Sequence, residues 1–386
     1  MLKIFISKLN KVNLLTDVYI ETKMKHILRT LFIITLAIIS GSGIIQAGEQ
    51  AEAATATSPA ESFDAGKFVM EHVSDAFEWH IATFGETEIS VPLPIILYSS
   101  DKGWNFFMSS RFQHGKATYQ GFRIEKEGKN EGKIVELNDI GEVKELPIDL
   151  SITKTVAGIF VSVIVLLLIF LSIAKTARTR VHQAPSGLQS LLEPVILFVR
   201  DDVAKPAIGE KRYEKFVPFL LTVFFFILVN NLLGLIPIFP FGANVTGNIA
   251  VTMVLAIFTF LVTTFSTNKH YWKEIYNPDV PWWLKFPIPL MPIVELTGVI
   301  TKPFVLMIRL FANMLAGHLI VTVFVSLIFV FAKLMGVEAG LGVSFISVLF
   351  SVFMLLLDVL VSFIQAYVFT LLSALYFGMA SPEDHH

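Results

Sequence analysis

The chain has 386 residues, 54% of them hydrophobic, a mean hydropathy of +0.67 and a formal charge of −2. Such a composition excludes a water-soluble globular domain and places the chain among polytopic membrane proteins. The near-zero charge gives no electrostatic footprint for nucleic acid, and the absence of cysteine excludes disulfides, thiolate-bound zinc and thiol nucleophiles. Residues 24–29 (MKHILR) followed by LFIITLAIISGSGIIQA, ending at Ala47, combine a basic start, an apolar core and small exit residues. That is the pattern of a secretory signal; an uncleaved first membrane helix is the competing reading. The preceding 23 residues suit neither, so Met24 is the expected natural start.

Residues 48–60 are low in complexity and read as a linker. Over 61–84, Val69, Val73, Phe77, Ile81 and Phe84 recur every three or four residues, which predicts an amphipathic helix on the membrane surface. His72 and His80 lie on it two turns apart, with no further ligand to complete a metal site. Residues 85–150 turn polar and contain alternating runs at 118–125 and 133–136, a small β-rich insertion on the exported side. Gly128, Gly132 and Lys133 resemble a phosphate loop only in outline. Three residues rather than four separate the glycines, and Ile134 stands where Ser or Thr is needed, so this is a turn.

A clean apolar span occupies 155–174, followed by Lys175, Arg178, Arg180, Arg200, Lys205, Lys211, Arg212 and Lys215. The positive-inside bias puts that loop in the cytoplasm and the N-terminal region outside, with a short amphipathic helix at 187–200 along the inner face. Residues 216–239 return outward carrying Asn230 and Asn231, and 250–265 come back after Asn244, Thr246 and Asn248. Amides at this depth either join helices or line a water path. Lys269, Lys273 and Lys285 mark a second cytoplasmic loop, and Trp282, Trp283 and prolines 281, 287, 289 and 292 suit an interfacial belt. Two apolar segments longer than the roughly 20 residues of a perpendicular span complete the chain; they must tilt or bend, and Pro303 permits a bend. The expected fold is an all-α polytopic membrane protein of about five membrane helices, ending in a long tilted helical hairpin. A small α+β exported region precedes it. The expected units are 1–47, 48–150 and 151–386.

Within the first long segment, 305–320 reads VLMIRLFANMLAGHLI. A guanidinium at the centre of a spanning helix costs about 2.5–3.5 kcal/mol on insertion scales, so Arg309 demands a reason. At about 100° per residue, Arg309, Ala312, Asn313, Ala316 and Gly317 form one sector of small and polar groups, while His318 points about 180° away. The second segment carries Asp358, Ser362, Gln365, Ser373 and Tyr376 on one helical stripe. In an antiparallel hairpin facing residues have a constant number sum. Arg309 with Gln365 gives 674 and His318 with Asp358 gives 676, a register whose midpoint falls in the break GVEAG at 336–340. Two intramembrane contacts are therefore expected, Arg309 with Gln365 and His318 with Asp358.

The run TKPFVLMIRLFANMLAGHLI, with IQAYVFTLLSALYFGMAS after it, resembles subunit a of the F-type ATP synthase membrane sector from about residue 151 to the C-terminus. The resemblance implies a non-catalytic stator subunit of the bacterial inner membrane that conducts protons between two half-channels. Its partners would be a ring of c subunits, the b-subunit peripheral stalk and, indirectly, the F1 catalytic sector, with no cofactor and no metal. On that reading Arg309 faces the ring carboxylates, and His318, Asp358 and Asn313 relay protons in the outer half-channel. Gln365 orients the guanidinium, and Glu295 helps the cytoplasmic exit or is a solvated helix-start charge. In the familiar bacterial version the positions of His318 and Asp358 hold the acid and the base exchanged, which keeps one of each. A buried neutral pair that only locks the hairpin is the structural alternative for these two. A secondary antiporter and a purely structural anchor are the competing functions; the first would need inverted repeats that the sequence lacks. No Walker motif, triad or metal site is present in the sequence, so any ATP chemistry would reside on other subunits. Proton or sodium coupling stays open.

Overall fold

The computed structural model describes residues 74–380 apart from 85–86, 126–129, 139–140, 180–184, 186, 237, 268 and 277–289, with Arg29 by itself. The expected signal at 24–47, the linker, His72 and the Trp282–Trp283 belt lie outside the described residues.

The N-terminal part is built of short strands: β1 (Glu78–Phe84), β2 (Thr87–Pro92), β3 (Pro94–Ser99), β4 (Gly103–Met108), β5 (Phe122–Ile124), β6 (Ile134–Leu137), β7 (Val143–Glu145) and β8 (Ile148–Asp149). β1 and β2 form an antiparallel hairpin, and two three-stranded sheets run in the orders β4-β3-β8 and β5-β6-β7. Alternation decides their faces. Ile95 and Leu97 of β3 turn inward with Phe122 and Ile134 onto Phe77 and Phe112, a small core with Phe107 and Tyr119 at its margin. Of the amphipathic helix expected over 61–84, residues 61–73 lie outside the described residues, and the stretch 78–84 is corrected to a strand. A register shift between His80 and Ala82 interrupts its alternation and lets three-to-four spacing mimic a helix.

Among the described residues seven helices follow: α1 (Lys154–Thr179), α2 (Leu188–Phe198), α3 (Tyr213–Gly234), α4 (Ile249–Phe265), α5 (Lys269–Tyr276), α6 (Leu290–Met335) and α7 (Val337–Ala380). A π-helical turn at Val199–Ala204 and a last turn at Lys205–Ile208 extend α2. Four of these helices, α1, α3, α6 and α7, are long and apolar enough to cross a membrane, and α4 is a shorter apolar helix. The chain is thus mostly helical and polytopic. The α1 start is capped from a distance. Asp75 Oδ1 accepts the Thr155 N–H at 3.0 Å and the Ala76 carbonyl accepts the Lys154 N–H at 2.8 Å, tying the strand region to the first membrane helix. Burial outweighs these donors and pushes the Asp75 carboxyl above its ordinary value. Asn248 caps α4 by accepting the Ala250 N–H at 2.9 Å.

α3 is the central helix, and phenylalanines key its neighbours onto it. Phe216 stacks on Phe377 of α7 with centroids 4.9 Å apart, Phe224 meets Phe363 of α7 at 5.8 Å, and Phe225 meets Phe170 of α1 at 5.0 Å. Beyond its end, Phe239 meets Trp79 of β1 at 5.5 Å, so the strand region sits at that end of the bundle.

α6 and α7 are 46 and 44 residues long and separated only by Gly336, whose φ of 93° gives the left-handed turn that closes the hairpin. At roughly 1.5 Å per residue each is about twice the length of a hydrocarbon core of roughly 30 Å, so both must cross steeply tilted. Phe324 stacks on Phe350 at 5.6 Å, numbers summing to 674, which is the register expected from the sequence. At the other end Gly378 lets α7 approach the Ala207–Ile208 turn. A methyl group there would overlap the Ala207 carbonyl oxygen. Gly378→Ala should therefore cost about 1–3 kcal/mol of overpacking and lower the thermal midpoint of the purified protein, whereas an alanine at Gly342, with open space around it, should not.

Candidate functional site

The residues singled out in the sequence fall into two groups. Glu295, Lys302, Arg309 and Asn313 share one face of α6, since steps of 7, 7 and 4 residues keep them within about 40° of one another. Glu295, Arg309, Ala312, Asn313 and Ala316 are exposed, so from Arg309 onward no described element covers this face. The inward face of α6 holds Leu306, Leu310 and Met314 in the bundle core. Arg309 is the twentieth of the 46 residues of α6 and lies near its middle. Among the described residues it forms no ion pair with any carboxylate.

The two expected pairs share the hairpin register but are not hydrogen-bonded. Gln365 is buried on α7, but no hydrogen bond joins it to Arg309 among the described residues, because the guanidinium emerges on the open side of the hairpin. His318 and Asp358 do not bond to each other either. A Cβ on Gly317 would lie 2.7 Å from Asp358 Oδ1, so the carboxyl group lies flat against the Gly317 backbone. The imidazole instead turns toward α3, its Nε2 lying 3.6 Å from where a Gly234 Cβ would be. Two glycines thus make the seats for one acid and one base. Asn313 belongs to the open face rather than with this pair, as its exposure shows.

Around the pair the bundle leaves polar atoms without partners. Nε2 of His318, Oδ2 of Asp358, Oδ1 of Asn230, Nδ2 of Asn231 and Nδ2 of Asn244 are all removed from solvent and unbonded. Asn230 donates to the Phe226 carbonyl at 2.7 Å, and Asn231 accepts the Thr246 hydroxyl at 2.5 Å, so each amide is half satisfied. A small cavity lined by Gly158, Asn230, Leu233, Gly242 and Ala243 opens beside them. Unsatisfied buried polar groups of this kind are the normal seats of internal water.

A second cavity lies at the opposite end of α4, between α5, α6 and α7, lined by Thr259, Thr263, Thr267, Tyr271, Lys302 and Tyr376 among others. Lys302 Nζ lies 5.7 Å from the Tyr376 ring centroid. Burial first, and then the nearby Glu295 charge, push the Tyr271 phenol above its usual range. Lys302 was not singled out in the sequence, although its place seven residues before Arg309 put it on the same stripe. Among the described residues no group of His, Asp and Glu is arranged to hold a metal.

Fold and site together define a polytopic membrane protein whose ionisable residues lie deep within apolar helices rather than in an aqueous cleft. Residues 157–378 match the family described as ATP synthase A chain, and 68–153 match a domain of unknown function (DUF8433). The chain is similar to ATP synthase subunit a of Chloroherpeton thalassium, 44% identical over 246 residues covering 62% of this chain and 69% of the relative. It is also similar to ATP synthase subunit a 2 of Chlorobaculum tepidum, 46% identical over 244 residues (62% and 66%), and to ATP synthase subunit a of Myxococcus xanthus, 41% identical over 245 (62% and 76%). The chain belongs to the ATP synthase A chain family.

Proposed function

We propose that this chain is the ion-translocating subunit a of an F-type ATP synthase of the bacterial inner membrane. Its strand region would be periplasmic and its C-terminus cytoplasmic. The observation that carries the reading is Arg309: a permanent charge, midway along a 46-residue apolar helix, exposed and, among the described residues, with no carboxylate of its own chain paired to it. A guanidinium in that setting requires an anion supplied from outside the chain.

A ring of c subunits, each bringing a membrane-depth carboxylate past Arg309, supplies such anions. An opposite charge within about 4–6 Å holds each carboxylate ionised while it passes. Its proton must leave before arrival and another must bind after departure, so rotation accompanies transport. The cluster of His318, Asp358, Asn230, Asn231 and Asn244, each with one buried polar atom unbonded, serves as the outer half-channel. The Thr259–Tyr376 cavity, lined by Lys302 and by Tyr271, whose phenol feels the Glu295 charge, serves as the cytoplasmic one. Arg309 between them repels a bare proton and prevents a short circuit. ATP chemistry stays on the F1 sector, and the b-subunit stalk holds this chain still against the ring.

The open face is tested by cross-linking. The chain has no cysteine, so Ala312→Cys or Ala316→Cys introduces a single thiol. In the assembled complex, with single cysteines placed along the ring's outer helix, both should form disulfides to the ring on mild oxidation. Ser347→Cys, buried inside the bundle, should not. Absence of any ring cross-link from 312 and 316 in assembled complex would sink the assignment of this face.

A further inference from the structure

We infer that the sheet β4-β3-β8 is a membrane-interface anchor that lays its outer face into the lipid headgroup and upper acyl region beside α1. Antiparallel sheets with one face on a core present a polar second face to water. This one does not. While Ile95 and Leu97 fill the core, the opposite face carries Trp104, Phe106 and Met108 on β4, Tyr98 on β3, and Ile148 with Leu150 at and after β8, all exposed, Phe106 to 67% and Ile148 to 60%. The strand pairing makes the face continuous, with Tyr98 between Trp104 and Ile148, and Tyr98, Trp104 and Phe106 rings packed side by side at 5.1 and 6.0 Å. A contiguous apolar patch of this kind on an extramembrane domain marks a binding surface.

Three observations identify the occupant as lipid. The patch is continuous with a lipid-facing surface: Leu150 is four residues before Lys154, where α1 begins, and α1 itself exposes Phe160, Ile164, Leu168 and Leu171 on one side. The backbone fixes which end of the patch is nearer the helix. The Ile152 N–H bonds to the Pro94 carbonyl at 3.0 Å, and Pro94 pairs with Met108, so β4 leads away from α1 in the order Met108, Phe106, Trp104. Along that path the chemistry changes as the bilayer does. Met108, Phe106 and Leu150, wholly apolar, lie at the near end. Trp104 and Tyr98, whose polar tips suit the headgroup level, lie roughly 7–13 Å further out at about 3.3 Å per residue. Finally, two flanking lysines are already paired, Lys102 with Glu136 and Lys144 with Asp101, so insertion rests on apolar surface more than on anionic headgroups.

The test uses the full chain in phosphatidylcholine vesicles, with single nitroxide-labelled cysteines at Met108→Cys, Phe106→Cys, Trp104→Cys and Ile148→Cys, and Lys116→Cys as an exposed polar control. Relative to position 116, the ratio of collisions with oxygen to collisions with a water-soluble nickel chelate should rise severalfold at 106 and 108, and to a smaller extent at 148, which is level with Tyr98 and Trp104. It should fall stepwise from 108 to 104 and stay unchanged when anionic lipid is added. Full nickel access at all four positions would show a water-exposed face. Shielding from both reagents would show a protein cover, another subunit or a second copy of this chain. Either result overturns the inference, and position 148 on β8 keeps the test open should a β4 variant fail to fold.

Discussion

Arg309→Ala should abolish proton-driven ATP synthesis in inverted membrane vesicles while the chain remains inserted and assembled. Insertion becomes easier by about 2.5–3.5 kcal/mol when the charge is removed, so loss of the protein is not the expected cause of failure. On the proposed reading, function fails because the ring carboxylate loses the group that keeps it ionised. At roughly 4 Å and an effective dielectric near 20 the pair is worth about 4 kcal/mol, which at about 1.36 kcal/mol per tenfold is close to a thousandfold in the ionised population. The same variant should leak protons passively between the two cavities, because the repulsive barrier has gone. Arg309→Lys retains a charge that can itself deprotonate and lacks the planar fork, so strong impairment with less leak is expected. Wild-type synthesis rates in vesicles containing Arg309→Ala would remove the basis of the translocation mechanism.

The long helices were legible because membrane burial leaves little choice: a backbone in lipid satisfies its own hydrogen bonds, and apolar runs of sufficient length become helices. The hairpin register followed from Gly336 and the spacing of polar residues, and the Phe324–Phe350 stack obeys it. Strand β1 was hidden for the opposite reason. Its pairing with β2 is a tertiary fact, and the shift at His80–Ala82 exposes Ile81 while burying Trp79, which blurs the two-residue period. The site was half legible. Number sums matched His318 to Asp358 along the axis, but rotation about it decides contact. Gly317 and Gly234, which have no side chain to advertise themselves, decide where acid and base sit. The open face of α6 was anticipated as a sector of small residues, yet whether a neighbour in the same chain covered it could not be read from the helix alone.

Gly317→Ala should impair proton transport about as severely as Asp358→Asn, with assembly intact. The introduced Cβ would lie 2.7 Å from Oδ1 and 3.0 Å from Cγ of Asp358, below normal contact, so the carboxyl must swing away from its seat. Asp358→Asn removes the titrating group and His318→Ala removes its companion; each should lower ATP-driven acidification of inverted vesicles about a hundredfold or more, the range typical for losing a positioned proton-transfer group. Because no direct bond joins the two side chains, either single loss should break the route without unlocking the hairpin. A pair that merely fastens α6 to α7 predicts a different set of results: less subunit in the membrane, a lower melting temperature, and recovery on replacing both residues with apolar ones of similar size, as buried polar pairs often permit. Recovery of pumping in such a double variant would leave no relay role for either residue. Failure to pump, with full assembly and unchanged melting, is the outcome the two glycine seats and their unbonded polar neighbours lead us to expect.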